Sequence, residues 1–266
     1  MELDFGKLGS KVDFGKTAQD YGRHRAGFPD SFFRRLFDAD YVRRGDQVLD
    51  LGTGAGTVAR GLARGGCLTT GLDPSTKLMD EARRLDAEAG VATRYVEGRA
   101  EETGLPAASF DVVTAGQCWH WFDRPKAAAE IRRILKPGGR LIIAHFDWLP
   151  LPGNVVDATE QLIIAHNPPW KVAAGGLGIH PRWAFDVAVA GFHDIETFSY
   201  DIEVPYSHEA WRGRIRASAG IAASLPPDRV ARFDEELAEL LKRDFPGDPI
   251  IAPHRVWALL CRSPDG

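Results

Sequence analysis

Residues 47–56, Gln-Val-Leu-Asp-Leu-Gly-Thr-Gly-Ala-Gly, limit what this chain can fold into more than any other stretch. Val48, Leu49 and Leu51 form a short apolar run, the glycines end it, and Thr57, Val58 and Leu62 open an amphipathic helix. The reading is strand, tight turn, helix. Glycine at 52, 54 and 56 lets the backbone turn sharply and lets a ligand approach the peptide planes without meeting a Cβ. A dinucleotide fingerprint would need its third glycine at 57, where Thr57 stands. Asp50 puts a carboxylate at the strand end, which repels a diphosphate and suits an ammonium. Asp73 follows Gly52 by 21 residues, at the end of the apolar run 68–72, placed to accept two hydrogen bonds from a ribose diol. The pattern asks for a nucleoside that carries an amine and no phosphate.

With these residues the chain resembles the class I S-adenosylmethionine-dependent methyltransferases, and more narrowly their small-molecule group called type 11. The likeness continues through Gly98-Arg99-Ala100-Glu101, Ser109-Phe110-Asp111-Val112-Val113 and Leu135-Lys136-Pro137-Gly138-Gly139-Arg140-Leu141, covering residues 12–150. It implies a Rossmann-like α/β fold: a seven-stranded mixed sheet, six strands parallel and the seventh antiparallel, with helices on both faces and a helical lid. It also implies S-adenosylmethionine as cofactor. The domain reading is a leader and cap helix at 1–45, a cofactor-binding core at 46–150, and a C-terminal part of the sheet with a lid insert at 151–266. The resemblance places the cofactor on Asp50, Gly52, Thr53, Gly54, Gly56, Asp73, Pro74, Ala100, Glu101 and Gln117, with Tyr21 and Arg25 from a leader that folds over it. Tyr21 would close the transfer pocket and Arg25 pair with a carboxylate; the alternative is a surface segment whose Tyr packs on the domain. Arg99 departs from the family's usual acidic residue, which leaves adenine recognition to the Ala100 backbone, to Glu101 or to stacking by the guanidinium, with Ala100 and Glu101 the expected pair.

The fourth strand, 110–115, runs into Gly116-Gln117-Cys118-Trp119-His120-Trp121-Phe122. Ligands of open α/β sheets sit outside the carboxyl ends of the strands, so this aromatic cluster lies where donor and acceptor meet. His120 is the general-base candidate, since imidazole takes a proton near neutral pH. Trp119 and Trp121 are candidate substrate contacts, and so is His145 after strand five, 140–144. The competing reading is that His120 bonds to nearby backbone while the indoles cover the sheet edge. His145 and Asp147 are two apart, but spacing supplies no third donor, so no metal is assigned. Helical patterns at 207–223 and 227–243 lie between a sixth strand, 195–204, and a seventh, 250–261. Arg214 and Arg216 on the first of them are candidate carboxylate binders, set against a solvated basic face. With a likeness to trans-aconitate methyltransferases, they lean towards a carboxylate-bearing acceptor.

Composition narrows the class. A net charge of −4 speaks against a sequence-independent grip on nucleic acid, leaving small-molecule or protein substrates, of which the resemblance implies a small-molecule acceptor. Cys67, Cys118 and Cys261 are odd in number and far apart, so packed thiols are expected rather than disulfides or zinc. The N-terminus lacks a secretory pattern and no apolar run is long enough to span a bilayer, so a cytoplasmic protein is expected. Spacing leaves the acceptor, the methylated atom and the oligomeric state open. Two other functions stay in play: a cofactor-binding module without catalysis, and a nicotinamide-dependent oxidoreductase, which Thr57 and Asp50 disfavour.

Overall fold

The structure is a computed structural model and describes residues 27–172, 176–222 and 224–264. Strand β1, Gln47–Leu51, is central because its side chains are buried on both faces: Val48, Leu49, Asp50 and Leu51 are all inside. It pairs in parallel with β2, Leu68–Asp73, on one side and β4, Phe110–Gly116, on the other. The register sets Leu51 opposite Leu72 and opposite Ala115, so three strand ends finish at one edge. The order of the sheet is β3-β2-β1-β4-β5-β7-β6, with β3 Arg94–Glu97, β5 Leu135–Trp148, β6 His193–Tyr206 and β7 Ile250–Arg262. Six strands are parallel and one antiparallel, as the resemblance implied. Strand β5 is longer than the expected 140–144: Leu135 pairs with Phe110, and a register shift at the Pro-Gly-Gly bend precedes the pairing of Arg140 with Val112.

The first helices are α1, Asp30–Asp38, α2, Thr57–Arg64, and α3, Thr76–Ala89, whose Ser75 caps the Leu78 N–H. Helix α4, Arg124–Ile134, starts on Asp123, which accepts from the Lys126 N–H, with Pro125 in its first turn. Then come α5, Val155–His166, α6, Arg182–Val189, α7, His208–Arg216, and α8, Pro227–Asp244. Helix α7 stops at Arg216, seven residues short of the expected 223.

The described residues fall into two compact units. One comprises 27–145, 180–199 and 257–264. Its core packs Leu49, Leu72, Val113, Leu141 and Ile143 of the sheet against Ile131 and Ile134 of α4 and Val187 of α6. The other comprises 146–172, 176–179, 200–222 and 224–256. It is built around Trp211, whose ring sits 5.8 Å from Trp148 and 5.1 Å from Tyr206 and whose Nε1 donates to Thr159 Oγ1. Cys67, Cys118 and Cys261 are buried. Among the described residues no helix is long and apolar enough to cross a membrane.

Candidate active site

The glycine turn has the geometry its composition calls for. Gly52, Gly54 and Gly56 all have left-handed φ, at 58°, 54° and 75°. A Cβ on Gly52 would come within 2.8 Å of Cys118 Cβ, so the turn after β4 presses directly on the turn after β1. A Cβ on Gly54 would meet nothing within 4 Å. The middle of the turn thus faces open space with bare backbone, a surface a nucleoside can approach.

Asp73 borders that surface. Its Oδ2 accepts the Gly54 N–H at 2.9 Å and its Oδ1 the Ser75 N–H at 2.8 Å, so the carboxylate bridges the glycine turn and the start of α3. Burial raises its pKa while the two N–H bonds oppose the rise. Each oxygen keeps a lone pair beyond its backbone bond, which is what a ribose diol needs. Pro74 stands exposed between the two bonded positions.

Asp50 takes a different place from the one its charge implied. It is 2% exposed, accepting from Thr53 Oγ1 and Thr114 Oγ1, each at 2.7 Å. It lies beneath the turn and holds Thr53 in place, reaching a ligand through its field rather than by open contact. Burial pushes its carboxyl up to about 6 from an ordinary 3.8, against the pull of the two hydroxyls. The folded chain therefore keeps the proton to higher pH than the unfolded chain. The stability this confers is complete below about pH 4 and lost as pH rises through about 6. A shift of about 2 units corresponds to roughly 3 kcal/mol. Urea denaturation from pH 4 to 8 should show the wild type losing about that much relative to Asp50→Asn; parallel curves would exclude the assignment.

Ala100 is buried after β3. Glu101 accepts the Asp123 N–H at 2.9 Å and lies 3.6 Å from Arg99, so it fastens this loop to the start of α4. Gln117 adopts a left-handed φ of 62° and donates its N–H to the Ala144 carbonyl, turning the chain out of β4 beside the end of β5. Tyr21 and Arg25 lie outside the described residues.

The aromatic cluster divides. Trp119 has no exposed surface, belongs to the core and donates Nε1 to Asp186 at 3.4 Å, so it is not a substrate contact. The 3-10 turn Trp119–Trp121 sends one indole inward and leaves His120 and Trp121 partly exposed. Their rings are 4.6 Å apart, and His120 lies 5.3 Å from His145. His145 in turn lies 4.5 Å from His180, a residue that sequence reasoning passed over. His180 sits in a Gly/Pro-rich loop before α6, where no periodicity marks it. Its ring is stacked on Trp183 at 4.0 Å and 5°, and ring nitrogens of His145 and His180 come within 4.8 Å.

The arginine expectation is corrected in the other unit. Arg216 is paired with Asp234 at 2.8 Å and Glu209 at 3.1 Å, and Arg212 meets the same two acids. Arg214 lies over the Trp148 ring at 4.6 Å. Charges already balanced within α7 and α8, and a guanidinium laid on an indole, are neither a solvated face nor an open carboxylate clamp.

Comparison with known proteins agrees with this geometry. A family profile described as "Methyltransferase domain" matches residues 49–143. An uncharacterized methyltransferase of Mycobacterium tuberculosis is 35% identical over 130 residues, covering 49% of this chain and 50% of that protein. The alignment thus spans about half the length of that relative. Nocamycin O-methyltransferase of Saccharothrix syringae is 32% identical over 250 residues, covering 84% of this chain and 87% of that protein. The fold matches that of the YcgJ protein of Bacillus subtilis with a TM-score of 0.57 at 20% identity, over 90% of this chain and 100% of that one.

Proposed function

The chain belongs to the class I S-adenosylmethionine-dependent methyltransferases, and on that premise we propose that it methylates a small-molecule acceptor. The observation that carries the reading is the open backbone at Gly54 beside the buried carboxylate of Asp73. Bare backbone facing open space at Gly54, bordered by an acid with lone pairs to spare, fits S-adenosylmethionine, the cofactor of this family. A relative named for methylating nocamycin supports a small-molecule acceptor.

When bound, the cofactor supplies an electrophilic methyl group on a sulfonium. Asp73, held by the Gly54 and Ser75 N–H groups, would accept from the ribose hydroxyls. Gly52, Thr53 and Gly56 would present backbone, Pro74 would flank the ribose, and Asp50 below the turn would contribute negative potential towards a cation. Ala100, Glu101 and Gln117 would serve the adenine and methionyl ends, with Tyr21 and Arg25 assigned to the same cofactor. His120, Trp121 and His145 face the acceptor, with His120 taking a proton where the acceptor has one to lose. Orientation is worth roughly 7 to 11 kcal/mol in such reactions, so positioning outweighs the base. Arg214 and Arg216, engaged as described, do not favour a carboxylate acceptor. The expected site of action is the cytoplasm.

Calorimetry with S-adenosylmethionine and S-adenosylhomocysteine tests the assignment, with NADH as the control ligand. Saturable binding of the first two and none of NADH is expected. Failure of both to bind rejects the cofactor. Saturable binding with no release of S-adenosylhomocysteine across phenol, amine, carboxylate and enol acceptors would make the protein a binding module.

A further inference from the structure

The glycine turn is open at Gly54 and closed at Gly56. A Cβ on Gly56 would collide with the Tyr95 hydroxyl and stand 3.0 Å from Ala82 Cβ and 3.3 Å from Arg60 Nη2. Tyr95, on β3, is paired with Gly71 of β2, where a Cβ would meet its ring at 2.8 Å, so bare glycines at 56 and 71 make the room this side chain fills. Its hydroxyl donates to Asp86 Oδ2 on α3 at 2.8 Å. Asp86 Oδ1 lies 3.0 Å from Nε of Arg60 on α2, an ion pair without hydrogen-bond alignment, and the two side chains are 5% and 12% exposed. Arg60 ends on the turn itself, its Nη2 and Nη1 donating to the Ala55 carbonyl at 2.6 and 3.2 Å. A regular helix would offer that carbonyl the N–H of residue 59, but the Ala59 N–H is bonded to Asp50. The guanidinium supplies the donor that the helix start does not. All of these residues lie in one unit.

We propose that Arg60, Asp86 and Tyr95 form a brace that fixes the peptide planes of the glycine turn in the shape the methyl donor requires, which makes them positioning residues that act through the turn. The inference rests on the methyltransferase reading and deepens it. A ligand surface of bare backbone is only as selective as that backbone is still, and three left-handed glycines in five residues give it wide freedom. At the peptide between Ala55 and Gly56 the N–H is bonded to the Thr53 carbonyl and the C=O to Arg60. The first bond stays inside the turn. The second ties the turn, through Asp86 and Tyr95, to α3 and β3. Where the competent shape is only partly populated, apparent affinity falls by that fraction. A hydrogen bond from a charged donor biases a conformer by about one decade at the low end of its range, so an unbraced turn should bind the cofactor about 10-fold less tightly.

The competing role for a buried ion pair is to join α2 to α3 and nothing more. The two roles separate when the charges are removed together. Exchanging a buried pair for apolar residues of similar volume leaves stability near its starting value, whereas removing one partner strands the other. A structural tie is replaced by such an exchange; a brace on the Ala55 carbonyl is lost.

The test is the triple variant Arg60→Met/Asp86→Leu/Tyr95→Phe, with Arg60→Lys beside it, read by thermal melting, by calorimetry with S-adenosylhomocysteine and by amide hydrogen exchange at Gly54 and Gly56. The triple variant is expected to melt close to the wild type yet bind S-adenosylhomocysteine about 10-fold more weakly, with the two amides exchanging about 10-fold faster in the free protein. Arg60→Lys keeps a charge beside Asp86 but has no fork to span both partners, so it too should bind more weakly. Wild-type affinity in either variant would overturn the inference, and so would unchanged exchange at both amides in the triple variant. If the triple variant fails to fold, affinity and exchange in Arg60→Lys decide in its place. If the wild type itself does not bind S-adenosylhomocysteine, the methyltransferase reading has failed, and exchange at Gly54 and Gly56 in the free proteins still decides whether the brace holds the turn.

Discussion

Calorimetry on an Asp73→Ala variant is expected to show S-adenosylmethionine affinity reduced about 100-fold or more. Two hydroxyl donors to a charged acceptor contribute roughly 1.5 kcal/mol each at the low end of their range, and about 1.4 kcal/mol is one decade in affinity. The change acts on the protein as well, because Asp73 accepts the N–H groups of Gly54 and Ser75. Leaving buried donors unpaired costs about 1–3 kcal/mol each, so the melting temperature should fall along with the affinity. Asp73→Asn separates the two effects: its amide oxygen keeps one acceptor while its NH2 group faces the other donor, giving an intermediate affinity. An Asp73→Ala protein that melts earlier yet binds the cofactor as tightly would reduce the residue to a structural brace.

The glycine turn gives the second large effect, and what is chiefly lost, affinity or stability, differs between two nearby positions. Gly54→Ala adds a Cβ that meets no atom within 4 Å, so folding bears only the left-handed backbone at 54°, about 1–2 kcal/mol. The added methyl group occupies the surface a ligand would cover, and overpacking of about 1–3 kcal/mol translates into a loss of affinity of about 5- to 100-fold. Gly52→Ala instead sets a Cβ 2.8 Å from Cys118 Cβ and 3.3 Å from the Phe122 ring, on a backbone at 58°. Strain and overpacking together should destabilise the fold by roughly 2–5 kcal/mol. Thermal melts and calorimetry on both variants check the contrast. A stable Gly54→Ala protein with undiminished affinity would put the cofactor somewhere else.

Much of this was legible because it is local. The apolar run, the glycines and the next run ending in Asp73 specify strand, turn and strand within 27 residues, and the structure returns β1 at Gln47–Leu51 and β2 at Leu68–Asp73. The helical pattern at 227–243 is returned as α8, Pro227–Asp244. The candidate site was legible in part. His120 and His145 were singled out from opposite ends of two segments, and the parallel pairing of β4 with β5 brings their rings together. Trp119 misled because successive side chains of a 3-10 turn fan out about 120° apart, and nothing in Trp-His-Trp says which indole goes inside. Arg216 misled because its partners include Asp234, 18 residues further on in another helix.

Sequence alone determined the class of fold and the chemistry of the donor side, since backbone that must bend, an acid that must end a strand and the order of the elements are written in consecutive residues. Only the tertiary structure decided what stands opposite them. Asp50 is sealed under the turn by Thr114, which lies on another strand, and His180 completes the imidazole cluster from a loop 35 residues beyond His145. Burial and side-chain proximity across the sheet depend on which strands become neighbours, and long-range pairing leaves no periodic trace in the residues it brings together.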